Sequence, residues 1–282
     1  MTDKRDLWSN GAVAHSSLKG HVDAENYTEG EEFRVTEAPV AALRNAAGNR
    51  ERELLWGQVF CVLDRADGKA FGFARRDGYA GYINADLLTP VRAAPSHRVR
   101  NRHTVALPRP DFKATEGQGL ALSLGAELSV IELEGRWATI DGGGRDLYVP
   151  ASHIAPLDPP ERDPVAVAER LFGTPYLWGG NSAFGIDCSG LVQIACHACG
   201  IACPGDSDQQ EKSLGETLPA GTPLERGDIL FWEGHVGWIA GPDSLLHANA
   251  HHMAVAFEPL KPALARIEAQ GDGKVTRHAR LH

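Results

Sequence analysis

Apolar positions in this chain follow two different rhythms. From about residue 30 to residue 156, short alternating runs are set off by glycine, as in Gly57-Gln58-Val59-Phe60-Cys61-Val62-Leu63 and Gly125-Ala126-Glu127-Leu128-Ser129-Val130-Ile131. Alternation with glycine punctuation predicts short antiparallel strands. The pattern repeats: Gly125 lies 68 positions after Gly57, and Tyr148 lies 66 after Tyr82. Asp77-Gly78-Tyr79-Ala80-Gly81-Tyr82-Ile83 thus parallels Arg145-Asp146-Leu147-Tyr148-Val149-Pro150. Each copy reads as a small barrel.

The last third changes period. Asp163 is a helix cap, Pro164 suits the first helical position, and Val165, Ala168, Leu171 and Phe172 follow at helical spacing before Gly173. A second helix is expected from Cys188 to Gly200, with Leu191, Val192, Ala195, Ala198 and Cys199 on its apolar face. Strands are then expected over 228–232, 235–240, 245–249 and 254–259, an α+β layout. Proline-rich joints at 89–95 and 155–164 divide the chain. The expected domains are an extension over 1–24, barrels over 25–92 and 93–157, and an α+β domain over 158–282.

Composition narrows the picture. The 282 residues are 43% hydrophobic and 23% charged, with a formal charge of −9 and no basic block, so nucleic-acid binding is not expected. The start lacks an apolar core of signal-peptide length, and no run is long enough to span a membrane, so the cytoplasm is the expected address and no membrane is a partner. Five cysteines, an odd number at irregular spacing, do not read as a disulfide framework. Cys196, Cys199 and Cys203 lack a second ligand pair at zinc-finger spacing, so no metal or other cofactor is expected.

One cysteine stands apart. In Phe184-Gly185-Ile186-Asp187-Cys188-Ser189-Gly190-Leu191-Val192-Gln193, Cys188 opens a helix, where the dipole favours a thiolate. Gly234-His235-Val236-Gly237-Trp238-Ile239 puts a histidine at the head of an apolar strand, and Leu245-Leu246-His247-Ala248-Asn249 puts another in the next. A thiol, a base and an orienting group are the parts of thiol acyl transfer. Both histidines must then share one face of adjacent strands. Side chains alternate, so paired residue numbers must sum to an even value. A plain turn pairing Gly241 with Ser244 sums to 485, so a longer loop or a bulge is expected near 241–244.

These segments, with Tyr176-Leu177-Trp178-Gly179-Gly180 and Arg226-Gly227-Asp228-Ile229-Leu230-Phe231-Trp232, resemble the NlpC family of papain-like cysteine peptidases across residues 160–260. The upstream repeat resembles a pair of bacterial SH3-like domains, as found in the gamma-D-glutamyl-L-diamino-acid peptidase branch. The resemblance implies two SH3-like barrels before a papain-like domain. It also implies cleavage of freed murein peptides after gamma-D-glutamate, as in wall-peptide recycling.

The resemblance assigns roles as well. It implies Cys188 as nucleophile, His235 as base and His247 as orienter. Tyr176 would lie beside the reacting carbonyl, and Asp206 would hold a free amine. Asp187 joins the substrate-binding set, and Ser189 and Ser207 would lie near the D-glutamyl carboxylate. Gly205 stands where the family carries arginine in Pro204-Gly205-Asp206-Ser207. Glu51 and Tyr79 are the matches for the acidic residue and tyrosine that close the site, with Glu53 and Tyr82 as near alternatives. His251 and His252 read as loop histidines. Two other readings remain: an amidase or acyltransferase on the same thiol, and a non-enzymatic module that binds wall peptides.

Overall fold

The computed structural model describes residues 3–114 and 119–281. Two compact units divide at Asp158 and Pro159.

In the N-terminal unit the first repeat forms a seven-stranded antiparallel sheet. It runs from the edge strand Arg50–Leu55, through Val40–Arg44, Ala80–Asn84, Lys69–Ala74, Val59–Ala66 and Glu31–Val35, to the short edge strand Leu88–Pro90. The second repeat pairs into three small sheets instead. Two SH3-like barrels were expected; among the described residues neither set of strands closes. Alternation in a sequence reports which face is buried, whereas closure depends on pairing between edge strands, which alternation does not encode.

The repeat itself is visible in the structure. Each copy has a left-handed glycine, Gly57 or Gly125, before its central strands. Each also ends in a 3-10 turn and a short strand, Ala85–Leu87 with Leu88–Pro90 and Ala151–His153 with Ile154–Pro156. The copies are fused. Leu55 and Trp56 of the first join the core of the second, with Val99, Leu128, Ile140 and Val149. The Glu127 N–H donates to the Trp56 carbonyl at 3.0 Å, and Arg34 Nη1 donates to Ser129 Oγ at 2.6 Å. A Cβ on Gly57 would stand 1.8 Å from the Glu127 carbonyl oxygen, so only glycine allows this approach.

The C-terminal unit carries four α-helices among its described residues: α1 (Pro164–Glu169), α2 (Cys188–Ala198), α3 (Ser207–Ser213) and α4 (Leu260–Ile267). Its six-stranded antiparallel sheet contains β1 (Glu216–Thr217), β2 (Asp228–Trp232), β3 (His235–Gly241), β4 (Ser244–Asn249), β5 (Ala254–Pro259) and β6 (Arg277–Arg280). The order across the sheet is β1-β6-β2-β3-β4-β5. Asp163 caps α1 through Oδ1, which accepts from the Ala166 N–H at 3.0 Å. Arg226 clamps that helix from both ends, through Asp163 at 3.0 Å and Glu169 at 2.7 Å.

The hairpin of β3 and β4 sets the register. Gly241 pairs with Ser244, the odd-sum turn, and Ile239 pairs with Leu245, leaving Ala240 as a bulge between them. The extra residue restores even parity, so Trp238 opposes Leu246 and both histidines point to one side. No helix among the described residues is long and apolar enough to cross a membrane.

Candidate active site

Cys188 is the first residue of α2 and is buried. The preceding Asp187 is the cap. Its Oδ1 accepts from the Gly190 N–H at 2.7 Å and from Ser189 Oγ at 3.1 Å, while Oδ2 accepts from the Gly179 N–H at 2.9 Å. Asp187 and Ser189, expected to touch substrate, thus hold the cysteine turn together. Gly190 is required here, because a Cβ would lie 2.5 Å from the Gly180 carbonyl oxygen.

Helix α2 packs against β3 and β4, the strands that carry the histidines. His235 Nε2 lies 2.7 Å from Nδ1 of His247, which is fully buried. On the other side of that ring, Nε2 lies 2.8 Å from Oε1 of Glu258 on β5. Arg266 of α4 closes the row, donating from Nε to Glu258 Oε2 at 3.1 Å and from Nη2 to Oε1.

Electrostatics follow from this row. Burial, then the neighbouring His247 and Arg266, push the His235 imidazole below its ordinary range, against a smaller upward pull from Glu258. Burial also lowers His247, with Glu258 pulling the other way. Burial raises the Glu258 carboxyl, but bonds from His247 and Arg266 outweigh it and bring its pKa down to about 2. At neutral pH the two rings are therefore uncharged and the carboxylate is ionised. A neutral imidazole is the form that can accept a proton.

His235 and His247 line a cavity of about 350 Å³ with Tyr176, Trp178, Asn249, His251, Arg266 and others. Trp178 is 71% exposed at its rim. Asp206 occupies the cap position of α3, with Ser207 as the first helical residue. The segment before them is anchored to α2 by two buried amides. Gln193 Nε2 donates to the Cys203 carbonyl at 3.1 Å, and Gln210 Nε2 donates to the carbonyls of Ser189 and Pro204, both at 2.9 Å. His251 and His252 lie exposed in the turn after β4, and His252 bonds to Asn249.

Glu51 and Tyr79 belong to the N-terminal unit. Glu51 accepts from Asn45, and Tyr79 is 3% exposed in the core with Val35, Leu43, Phe60 and Ile83. Of the alternatives, Glu53 is buried near Arg50, and Tyr82 lines a surface cavity beside Phe71. Among the described residues, no group of three or more His, Cys, Asp or Glu side chains is arranged so that it could hold a metal ion.

Sequence reasoning missed Glu258, Arg266 and Gln210. A signal for Glu258 existed: it is an acidic residue two positions from Ala256, which pairs with His247, and so lies on the histidine face. Reading it required the β4–β5 register.

Comparison with known proteins agrees with this geometry. Residues 173–265 match the NlpC/P60 family, and residues 43–88 match the bacterial dipeptidyl-peptidase SH3 domain. A gamma-D-glutamyl-L-lysine dipeptidyl-peptidase of Bacillus subtilis is 28% identical over 191 residues, 62% of this chain and 62% of that protein. One of the same name from Bacillus cereus is 30% identical over 110 residues, 36% of this chain and 32% of that protein. The match thus spans less than two thirds of either relative. A crystal structure of an NlpC/P60 family protein from Bacillus cereus shares the fold, with a TM-score of 0.75 at 18% identity, covering 89% of this chain and 99% of that one. Residues 173–265 thus form an NlpC/P60-family domain, and residues 43–88 belong to a bacterial dipeptidyl-peptidase SH3 domain.

Proposed function

We propose that this protein is a cysteine peptidase that hydrolyses the gamma-D-glutamyl–diamino-acid bond of freed peptidoglycan peptides with a free N-terminal L-alanine. The observation that carries the reading is the row His235–His247–Glu258 beside a helix that begins at Cys188. A binding module gains nothing from a histidine pair on the very strands against which the helix of a buried thiol packs.

In this reading His235 takes the Cys188 proton as sulfur attacks the gamma-carbonyl carbon, and the carbonyl electron pair moves to oxygen. The Cys188 N–H at the helix start is one donor to that oxyanion. As the C–N bond breaks, His235 returns the proton to the leaving amine, and a thioester remains. Water then attacks the thioester carbon as His235 takes its proton, the C–S bond breaks, His235 returns the proton to sulfur, and the dipeptide leaves with a free gamma-carboxyl group.

Asp206 is the proposed partner of the substrate ammonium, Ser189 and Ser207 lie toward the D-glutamyl carboxylate, and Tyr176 lies beside the carbonyl. Glu51 and Tyr79 enter from the resemblance alone. A requirement for a free amine would suit the recycling of wall peptides already released from the polymer. The deciding comparison is kcat/KM for L-Ala-gamma-D-Glu-diaminopimelate against its N-acetylated form, with Cys188→Ala as control. Asp206 is half-buried, and capping the amine removes the charge it would pair with, so the acetylated form is expected to be cleaved with a clearly lower kcat/KM. Equal rates, or release of peptides from intact sacculi, would point to a wall-degrading endopeptidase. Full turnover by Cys188→Ala would remove the mechanism.

A further inference from the structure

We propose that Glu258, clamped by Arg266, is a positioning residue that fixes the proton on each ring of the histidine pair and so leaves His235 Nδ1 bare to act as base. The inference rests on the peptidase reading and extends it by a fourth and fifth residue.

Donors and acceptors fix where each hydrogen sits. An ionised carboxylate only accepts, and Arg266 only donates. With Arg266 on both Glu258 oxygens, the group 2.8 Å from Oε1 must be a donor as well, so His247 carries hydrogen on Nε2. A neutral imidazole with hydrogen on Nε2 has a bare Nδ1, which can only accept. His235 Nε2, 2.7 Å away, is therefore the donor. Its hydrogen is spent there, and Nδ1 is the nitrogen that can take a proton. His247 is fully buried, so water has no ready access to reverse the pattern.

Sheet geometry supports the row. Ala256 opposes His247, so Glu258 lies diagonal to it on the same face. The chain then enters α4, and Arg266 returns to the carboxylate eight residues later. His252 is a further titratable neighbour of the carboxylate, with Nδ1 3.6 Å from Glu258 Oε1. It lies exposed in the turn and bonds to Asn249 Oδ1 at 3.1 Å, so it does not replace either donor. Among the described residues, the groups that act on the charge of the pair are Glu258, Arg266 and His252, with the Cys188 thiol on the helix packed against both strands.

The test combines Glu258→Gln with two readouts. Chloroacetamide alkylation of Cys188 and kcat/KM for L-Ala-gamma-D-Glu-diaminopimelate are measured against pH. Nitrogen-15 shifts of the histidine rings are recorded on the unsubstituted protein. We expect the neutral-pH plateau of both rates to fall about a hundredfold, with KM nearly constant. The acid limb should move to lower pH, because imidazolium loses its carboxylate partner. The ring shifts should show hydrogen on Nε2 of both rings. A plateau that falls with an unmoved limb would make Glu258 merely structural, and hydrogen on His247 Nδ1 would overturn the proposal outright. Should Glu258→Gln fail to fold, the ring shifts decide. A Cys188 that does not alkylate rapidly in the unsubstituted protein would instead overturn the thiol mechanism, and this inference with it.

Discussion

His247 stands directly across the β3–β4 ladder from Gly237, and a Cβ placed on that glycine would come within 3.1 Å of the His247 Cβ and 2.9 Å of Leu245 Cδ1. The orienting histidine has its position because its opposite neighbour has no side chain. Gly237→Ala is expected to push His247 off the row, lowering kcat/KM by tenfold or more. Melting temperature should fall only modestly, since one methyl group is being accommodated. Equal activity in the alanine variant would show that the hairpin absorbs the change.

His247→Ala removes both the acceptor for His235 and the link to Glu258. A loss of about 10²–10⁴ in kcat is expected, the range for a base left in the wrong tautomer. His247→Asn keeps a side-chain acceptor, and should retain measurably more activity than alanine. Steady-state kinetics on the pair of variants gives the ordering, and the reverse order would argue against an orienting role.

Asp187 serves three donors with two oxygens, so an amide cannot replace it. In Asp187→Asn one amide nitrogen would face the Gly179 or Gly190 N–H. We expect a loss of about 1–2 kcal/mol, the usual worth of a helix cap, read as a lower melting temperature. Cys188 alkylation should slow in parallel, because the turn that aims the thiol loosens. Unchanged stability would mean that the other N–H partners suffice.

Acid should destabilise the C-terminal unit in two steps. His235 and His247 have folded pKa values below their unfolded value of 6.5, so they resist protonation. Their contribution is present above pH 6.5 and declines as pH falls below it. Glu258 falls from 4.5 to about 2 on folding, so its contribution is present above pH 4.5 and is lost as pH drops toward 2. Thermal melts from pH 7 to 3 should decline first below pH 6.5 and more steeply below pH 4.5, with Glu258→Gln flattening the lower step. A melting temperature flat across that range would contradict the burial of the row.

Much of the C-terminal architecture was legible in advance. Asp163 and Pro164 announced α1, and the apolar runs announced the four strands of the meander. Parity alone required an irregularity near Gly241, and it sits at Ala240. Helix α3 was not legible, because Ser207–Ser213 is polar all round and seven residues long, with no apolar stripe to register. Glu258 was hidden for a different reason. An acidic residue on a strand reads as solvent-facing until the strand's partner and offset are known. In the N-terminal unit, the repeat was readable but the fusion of its copies was not, since Trp56 looks like an ordinary core residue of its own copy.

That fusion limits what evolution or an engineer can do with the repeat. Gly57 and Glu127 touch backbone to backbone, and Leu55 and Trp56 sit in the neighbouring copy's core. Cutting the chain at residue 92 would strip the second copy of those side chains and leave a tryptophan bare on the first. The duplication has become a heritable pair: a recombination event between the copies yields two unfinished halves, whereas one that moves both together transplants a working whole.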